Sequence, residues 1–440
     1  MKINKEIYRI ALPAIISNIT VPLLGIADTT ISGHLGSEKY IAAIAVGTMM
    51  MNVVTWCMGF LRSGTTGMTA QAYGSNDSRK TTELFTRSVS FGAIAGILIL
   101  IVQAPLMWLL LKVISVESSV ALYVTQYFRI VVWGAPAMLA TMAISGWFLG
   151  MQSSFYPMII AIVTNIVNIL ASLVSVYVLK YGFAGTAIGT CIANWSGFVL
   201  ALFLVKHFNA GKFPVGSFRE CLRFKGSGKF FKVNSDIFFR SFCIMAVTLG
   251  MTSFGARIGS LTLAVNAVMM QFFIFFSHFM DGFAFAAEAL TGKGVGERNR
   301  EMLRRTNRSL FSWSVGMAVF FTLTYVIFWP HIGRFITSEP EVLAALEQFH
   351  IWLILLPTVS VAAFIYDGIY IGLTATRQML IATASGGVIF FLFNIAVNTD
   401  SSSADSNTYL WASFLLYLLV RGVALAALCP YATRKALNVS

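Results

Sequence analysis

Twelve runs of about 20 or more mostly apolar residues limit what this chain can fold into more than any other feature. They cover residues 7–33, 39–62, 86–111, 120–149, 155–179, 184–207, 229–256, 261–287, 309–330, 342–373, 377–397 and 407–429. About 20 apolar residues in a helix cross the hydrocarbon layer of a bilayer. The runs are continuous rather than alternating, and peptide groups in lipid must find their hydrogen bonds internally. They therefore read as helices and not as barrel strands. Several exceed the bilayer thickness, which implies tilt, kinks or extension into water. With 57% hydrophobic and only 11% charged residues, a soluble fold would leave too much apolar surface in water. A soluble enzyme, a disordered regulator and a nucleic-acid-binding domain are excluded. The expectation is an all-α polytopic membrane protein.

Placement of the basic residues sets the orientation. With the N-terminus in the cytoplasm, 22 of the 31 Lys and Arg fall on the inner side, five fall outside, and Arg62, Arg129, Arg240 and Arg421 lie within spans. Both termini are thus expected inside, and the net charge of +13 is a topology signal rather than a nucleic-acid patch. The acidic loop near 398–407 falls outside, as this scheme requires. The N-terminal MKINKEIYRIALPAIIS lacks a small-residue cleavage site and reads as the start of a retained first helix.

The longest polar stretch, about 208–228, separates six spans from six. It suggests an N-terminal lobe at 1–207, a cytoplasmic linker at 208–228 and a C-terminal lobe at 229–440. Short matches recur across this divide. HLGS at 34–37 resembles RIGS at 257–260, GWFLG at 146–150 resembles GIYIG at 368–372, and Gly74 pairs with Gly296. Their offsets are 222 or 223 residues. Six spans per copy keep both copies in the same orientation, a parallel repeat about an axis along the membrane normal. Two pseudo-symmetric six-helix bundles around a cleft are a transporter architecture.

Ionisable groups inside spans are costly and tend to be functional. Asp28 lies about 8 Å below the outer end of span one, at 1.5 Å per residue. Asn168, Ser172 and Thr190 reach similar depths, about 9–16 Å from the outside. Asp28 is the candidate proton-coupling group, and the three neutral residues are candidates for substrate or ion binding. Pro13 and Pro22 interrupt the same first helix and permit a bend. In the second half Asp236, Asp281 and Asp367 share a depth of about 9–10 Å from the inner face. Arg240, four residues after Asp236, can pair with it on one helix face. This polar network serves cation binding, a proton relay or structure alone. Glu288, near the inner interface, reads either as a further acid of interest or as simply solvated; Glu347 reads as solvated near an outer span end, and Arg62 and Arg129 as snorkelling to headgroups. The five cysteines form no CxxC, and all but Cys221 lie in apolar runs. They read as buried small hydrophobes, with no disulfide and no metal site. No HExxH, GxSxG or GxGD is present, so no enzyme is expected.

Several segments carry a resemblance to a known family. LPAIISNITVPLLGIADTTISGHLG at 12–36 resembles the first helix of the MATE (multidrug and toxic compound extrusion) family, and most closely its DinF branch. FLRSGTTGMTAQAYG (60–74), NSDIFFRS (234–241), GARIGS (255–260), AVNAV (264–268), DGFAFAAEA (281–289) and DGIYIG (367–372) continue the likeness over nearly the whole chain. The resemblance implies two bundles around a V-shaped cleft in a bacterial cytoplasmic (inner) membrane. It also implies alternating-access export of organic, often cationic, hydrophobic compounds in exchange for protons or sodium. A cofactor is not expected; small-molecule substrates and the lipid bilayer are the partners, and the protein is expected to be monomeric. The family's first-helix acid falls on Asp28, its fifth-helix asparagine on Asn168 and its sixth-helix threonine on Thr190. Where the family often carries a second acid, four residues after the asparagine, this chain has Ser172. The branch's second-lobe acids fall on Asp236, Asp281 and Asp367. A lipid or lipid-linked-sugar flippase of the same superfamily is the alternative.

Overall fold

A computed structural model describes residues 2–34, 37–114, 118–209, 228–337, 339–397 and 405–439. The expected linker therefore lies almost wholly outside the described residues, as do Cys221 and most of the acidic loop. The described residues form helices and no strand. Twelve helical stretches are long and apolar enough to cross a membrane, and they follow the twelve runs in order.

The first six spans are built from α1 (Lys2–Gly33), α2 and α3 (Glu38–Cys57, Phe60–Gly74), α4 (Ser78–Ile101), α6 and α7 (Ser118–Val131, Ala135–Gly150), α8 (Phe155–Leu173) and α9 (Phe183–Phe208). The short apolar α5 (Gln103–Ile114) follows α4. The last six are α10 (Gly228–Ile258), α11 (Ser260–Gly296), α12 (Arg300–Ile336), α13 (Pro340–Gly372), α14 (Thr376–Ala396) and α15 (Ser406–Val439).

Three runs expected to be continuous contain breaks, and local chemistry explains them. The third run, 86–111, breaks at Val102, because Pro105 has no N–H for the Ile101 carbonyl four residues earlier. The fourth tightens into a 3₁₀ turn at Val132–Gly134, just before Pro136. The second breaks at Met58 and Gly59, where Gly lowers the cost of leaving the helix. In contrast, α1 runs through both Pro13 and Pro22 as one helix.

The chain divides into two compact units. One is Leu12–Phe230. The other is Phe231–Ser440 together with Met1–Ala11, so the start of α1 belongs with α10 to α15. There the Ser309 hydroxyl donates to the Asn4 side-chain oxygen at 2.9 Å, and Tyr8 meets Trp313 edge-on at 4.7 Å.

Inside each unit the repeat is visible in atomic detail. Both α3 and α11 end in a turn whose left-handed residue is Asn76 in one (φ 54°) and Arg298 in the other (φ 52°). The N–H of Asp77 reaches the Ala72 carbonyl, and that of Asn299 reaches the Gly294 carbonyl, the outer bond of a Schellman motif. Asp77 and Asn299 then cap the next helix, accepting from the N–H of Lys80 and of Met302 at 2.9 Å each. A second such turn follows α7 and α13, with Gln152 (φ 64°) and Thr374 (φ 53°) left-handed. Every member of these pairs is 222 residues from its counterpart.

Glycine sets the helix contacts between those turns. A Cβ on Gly146 of α7 would lie 2.3 Å from the Arg62 carbonyl oxygen of α3, and one on Gly368 of α13 would lie 2.3 Å from the Ala284 oxygen of α11. Gly150 against Thr69, and Gly372 against Thr291, repeat the arrangement one turn on. Because backbone is the obstacle, no side-chain rotation relieves an added methyl. Gly146→Ala and Gly368→Ala are each expected to destabilise the protein by about 1–3 kcal/mol. Thermal unfolding of the purified protein in detergent would test this, against Gly316→Ala, which faces open space.

Candidate functional site

Within the unit Leu12–Phe230, the neutral candidates converge. Asn168 and Ser172 lie on one face of α8, and Thr190 lies on α9. The Asn168 amide donates to the Thr190 hydroxyl at 3.2 Å. The Ser172 hydroxyl reaches the Asn168 side-chain oxygen at 3.4 Å and the Thr186 carbonyl at 3.5 Å. Ser172 is fully buried, and a Cβ on Gly189 would sit 2.2 Å from its oxygen. The α8–α9 contact therefore fills the place where the family often carries an acid.

Asp28 of α1 is buried at 8% exposure. Its charge acts on Tyr127 of α6, a residue that sequence reasoning missed. The Tyr127 hydroxyl is 3.4 Å from the Thr48 hydroxyl of α2. Its ring occupies a slot left by Gly47, where a Cβ would be 2.4 Å from the ring. Asn165, one turn before Asn168, was missed as well. Its amide donates to the Thr20 hydroxyl of α1 at 2.9 Å, between Pro13 and Pro22. The spacing 165, 168, 172 on a helical run is the signal that would have found it.

Within the other unit, the charged candidates sort differently from expectation. Arg240 of α10 does not pair with Asp236 four residues before it. Its guanidinium pairs with Asp367 of α13, and Arg421 of α15 pairs with the same Asp367 oxygen. An intrahelical pair at this spacing is worth a few tenths of a kcal/mol. A charge-assisted contact across buried helices is stronger and neutralises Asp367 where water cannot. Asp236 instead accepts from the Thr376 hydroxyl at 3.0 Å and lies 3.6 Å from Arg377, both at the start of α14. Asp281 and Glu288 of α11 both act electrostatically on Arg240, and Asp281 also on Arg421. Glu288 is 2% exposed, so it belongs to this buried set and is not solvated. Arg421 had no role assigned from sequence. An arginine inside the last apolar run, 6% exposed here, was the available signal.

The remaining residues are quickly placed. Glu347 is exposed. Cys57, Cys191, Cys243 and Cys429 are free and half-buried rather than fully buried. Among the described residues, no group of three or more His, Cys, Asp or Glu is placed to hold a metal ion.

Comparison with known proteins bears on this arrangement. The sequence matches the MatE family over residues 13–174 and again over 237–398, once in each repeat. It is 32% identical to DNA damage-inducible protein F of Escherichia coli (strain K12) over 428 residues, 97% of this chain and 92% of that protein. It is 25% identical to multidrug and toxin extrusion protein 1 of Danio rerio, over 93% of this chain and 69% of that protein. The fold is similar to a mutant of the Vibrio cholerae MATE transporter VcmN. The TM-score there is 0.86 at 17% identity, covering 100% of this chain and 98% of that one.

Removing one partner of a buried ion cluster strands the others. Arg421→Gln is expected to destabilise by about 3–5 kcal/mol, read as a fall in detergent-solubilised unfolding temperature. Arg377→Gln, at a 65% exposed side chain, is expected to cost less than about 1 kcal/mol.

Proposed function

Because this chain belongs to the MatE family, whose members are membrane transporters and not enzymes, we propose that it is a secondary active efflux transporter. It exports organic, often cationic, hydrophobic compounds by alternating access, in exchange for protons taken up at Asp28. The names of relatives, multidrug resistance and multidrug and toxin extrusion proteins among them, support the substrate class.

The contrast between the two polar clusters carries the choice of proton. Asp28 acts electrostatically on Tyr127, and the polar groups bonded around that layer, Tyr127 with Thr48 and Asn168 with Thr190, are neutral. The acids of the other unit stand among guanidinium groups, and Asp367 already holds two of them. A sodium ion there would compete with tethered cations. The bonds of the neutral layer, at 3.2 to 3.5 Å, are long and weak, so that layer can rearrange when Asp28 gains or loses a proton.

Exchange follows if proton and substrate prefer opposite states of the protein. A proton entering from outside neutralises Asp28, α1 bends, and affinity for the substrate falls. The substrate leaves outward. In the inward state Asp28 releases its proton, and the next substrate binds. Asn168, Ser172 and Thr190 hold the site on the α8–α9 side, and Pro13 and Pro22 provide the flexibility of α1. The protein works as a monomer in a bacterial cytoplasmic membrane, with both termini inside as the placement of Lys and Arg requires.

Efflux of a fluorescent cationic dye from proteoliposomes tests this reading. With an imposed proton gradient, wild type is expected to transport, and Asp28→Asn is expected to lose coupled transport while unfolding at a similar temperature. Full transport by the mutant overturns the role of Asp28. In a separate experiment a sodium gradient alone is expected to drive none. Sodium-driven efflux would move coupling to other groups.

A further inference from the structure

At the basic end of α4 a groove of about 330 Å³ is lined by Asp77, Arg79, Lys80, Glu83, Leu84 and Arg87. Lys229, from the start of α10 in the same unit, stands close enough to Lys80 for their charges to interact. Among the described residues its ammonium donates to the Gln71 side-chain oxygen, at 3.4 Å. Arg87 stacks over Phe230 at 6.0 Å. Four cations from two helices thus meet two carboxylates, and both carboxylates are engaged. Asp77 accepts the N–H of Lys80 as a helix cap, and Glu83 pairs with one amino group of Arg87. The Nε of Arg87 is buried and has no acceptor among the described residues. Like charges this close, beside an unused donor and a helix N-terminus, call for an anion.

The rest of α4 identifies the kind of anion. The basic residues occupy its first turns, and the helix then becomes apolar. One face passes from Lys80 and Arg87 to Ile94, Leu98 and Ile101, which are 43%, 54% and 71% exposed. Headgroup-seeking cations therefore lead straight into an aliphatic strip about 10 Å long, most of the depth of one leaflet. We propose that this groove is a binding site for the phosphate of an anionic phospholipid, whose acyl chains lie along that strip. The phosphate oxygens accept from the ammonium groups of Lys80 and Lys229 and from the exposed part of the Arg87 guanidinium. The other repeat does not build it. There the counterparts of Lys80 and Arg87 are Met302 and Ser309, and Ser309 is bonded to Asn4.

The test is lipid binding by native mass spectrometry of the protein released from nanodiscs containing phosphatidylglycerol and phosphatidylcholine in equal amounts. Wild type is expected to retain phosphatidylglycerol preferentially. Lys80→Gln/Lys229→Gln is expected to lose about twenty-five-fold in that preference, at roughly a factor of five per cation. The control Arg304→Gln/Arg308→Gln removes two exposed cations from a single helix and is expected to change it little. Unfolding temperatures in pure phosphatidylcholine nanodiscs confirm that both variants are folded. Equal loss in the control, or no preference in wild type, overturns the site in favour of diffuse surface charge. Displacement of the lipid by millimolar glycerol phosphate overturns the lipid assignment in favour of a soluble anion.

Discussion

Lipid offers a peptide group no hydrogen-bond partner, and the rest of this structure depends on that constraint. A span must close its own backbone bonds, so it must be a helix, and every departure from the helix needs a local cause. The breaks near Pro105 and Pro136 each come where proline withholds a donor from a carbonyl four residues back. Where the chain turns back, the Schellman turns at Asn76, Gln152, Arg298 and Thr374 recover carbonyls that the helix ends would otherwise leave open. Once the backbone is satisfied, helices gain by close approach. Gly146 and Gly368 allow backbone-to-backbone contact at equivalent places in the two repeats.

On this common frame the two units hold opposite kinds of polar site. One is a buried acid beside a layer of hydroxyls and amides that bond one another at 3.2 to 3.5 Å. Bonds of that length are weak, and neutral partners can rotate to other acceptors at little cost. The other is a cluster in which two arginines share one aspartate. Moving any member exposes an uncompensated charge in a low-dielectric interior, which costs several kcal/mol. The first site suits a group whose protonation changes during a cycle. The second suits a unit that keeps its internal geometry throughout.

Hydropathy made the spans legible because it sums over 20 residues, and an error of two or three does not alter the reading. It missed the internal breaks because each depends on one proline or glycine inside an otherwise apolar run. The site residues were legible by depth along their helices, which placed Asp28, Asn168, Ser172 and Thr190 in one layer. Their partners were not, because depth says nothing of which way a side chain faces around its helix axis. Arg240 illustrates the difference. Spacing offered it Asp236 on its own helix, whereas the fold gives it Asp367 and brings Arg421 to the same oxygen. Tyr127 was invisible for a related reason. Its role comes from the slot at Gly47, a contact between helices with no trace in local sequence.

The repeat supplies an internal control on where function was built. At offsets of 222 or 223, the place of Asp28 is taken by Gly250 or Met251 and that of Asn168 by Phe390 or Phe391, none of them polar. A Cβ on Gly250 would lie 2.8 Å from the Phe390 ring, so in that unit the first helix packs directly onto an aromatic side chain. In the other direction, Arg240, Asp367 and Arg421 correspond to Asn18, Ser145 and Val199, and Val199 is 63% exposed. The capped turns and glycine contacts have kept matching positions in both copies, while the polar chemistry has not. Helix packing therefore did not dictate the two clusters. A requirement of packing alone would have left similar residues in both copies. The acid of α1 and the arginine pair each answer a demand made on one unit only.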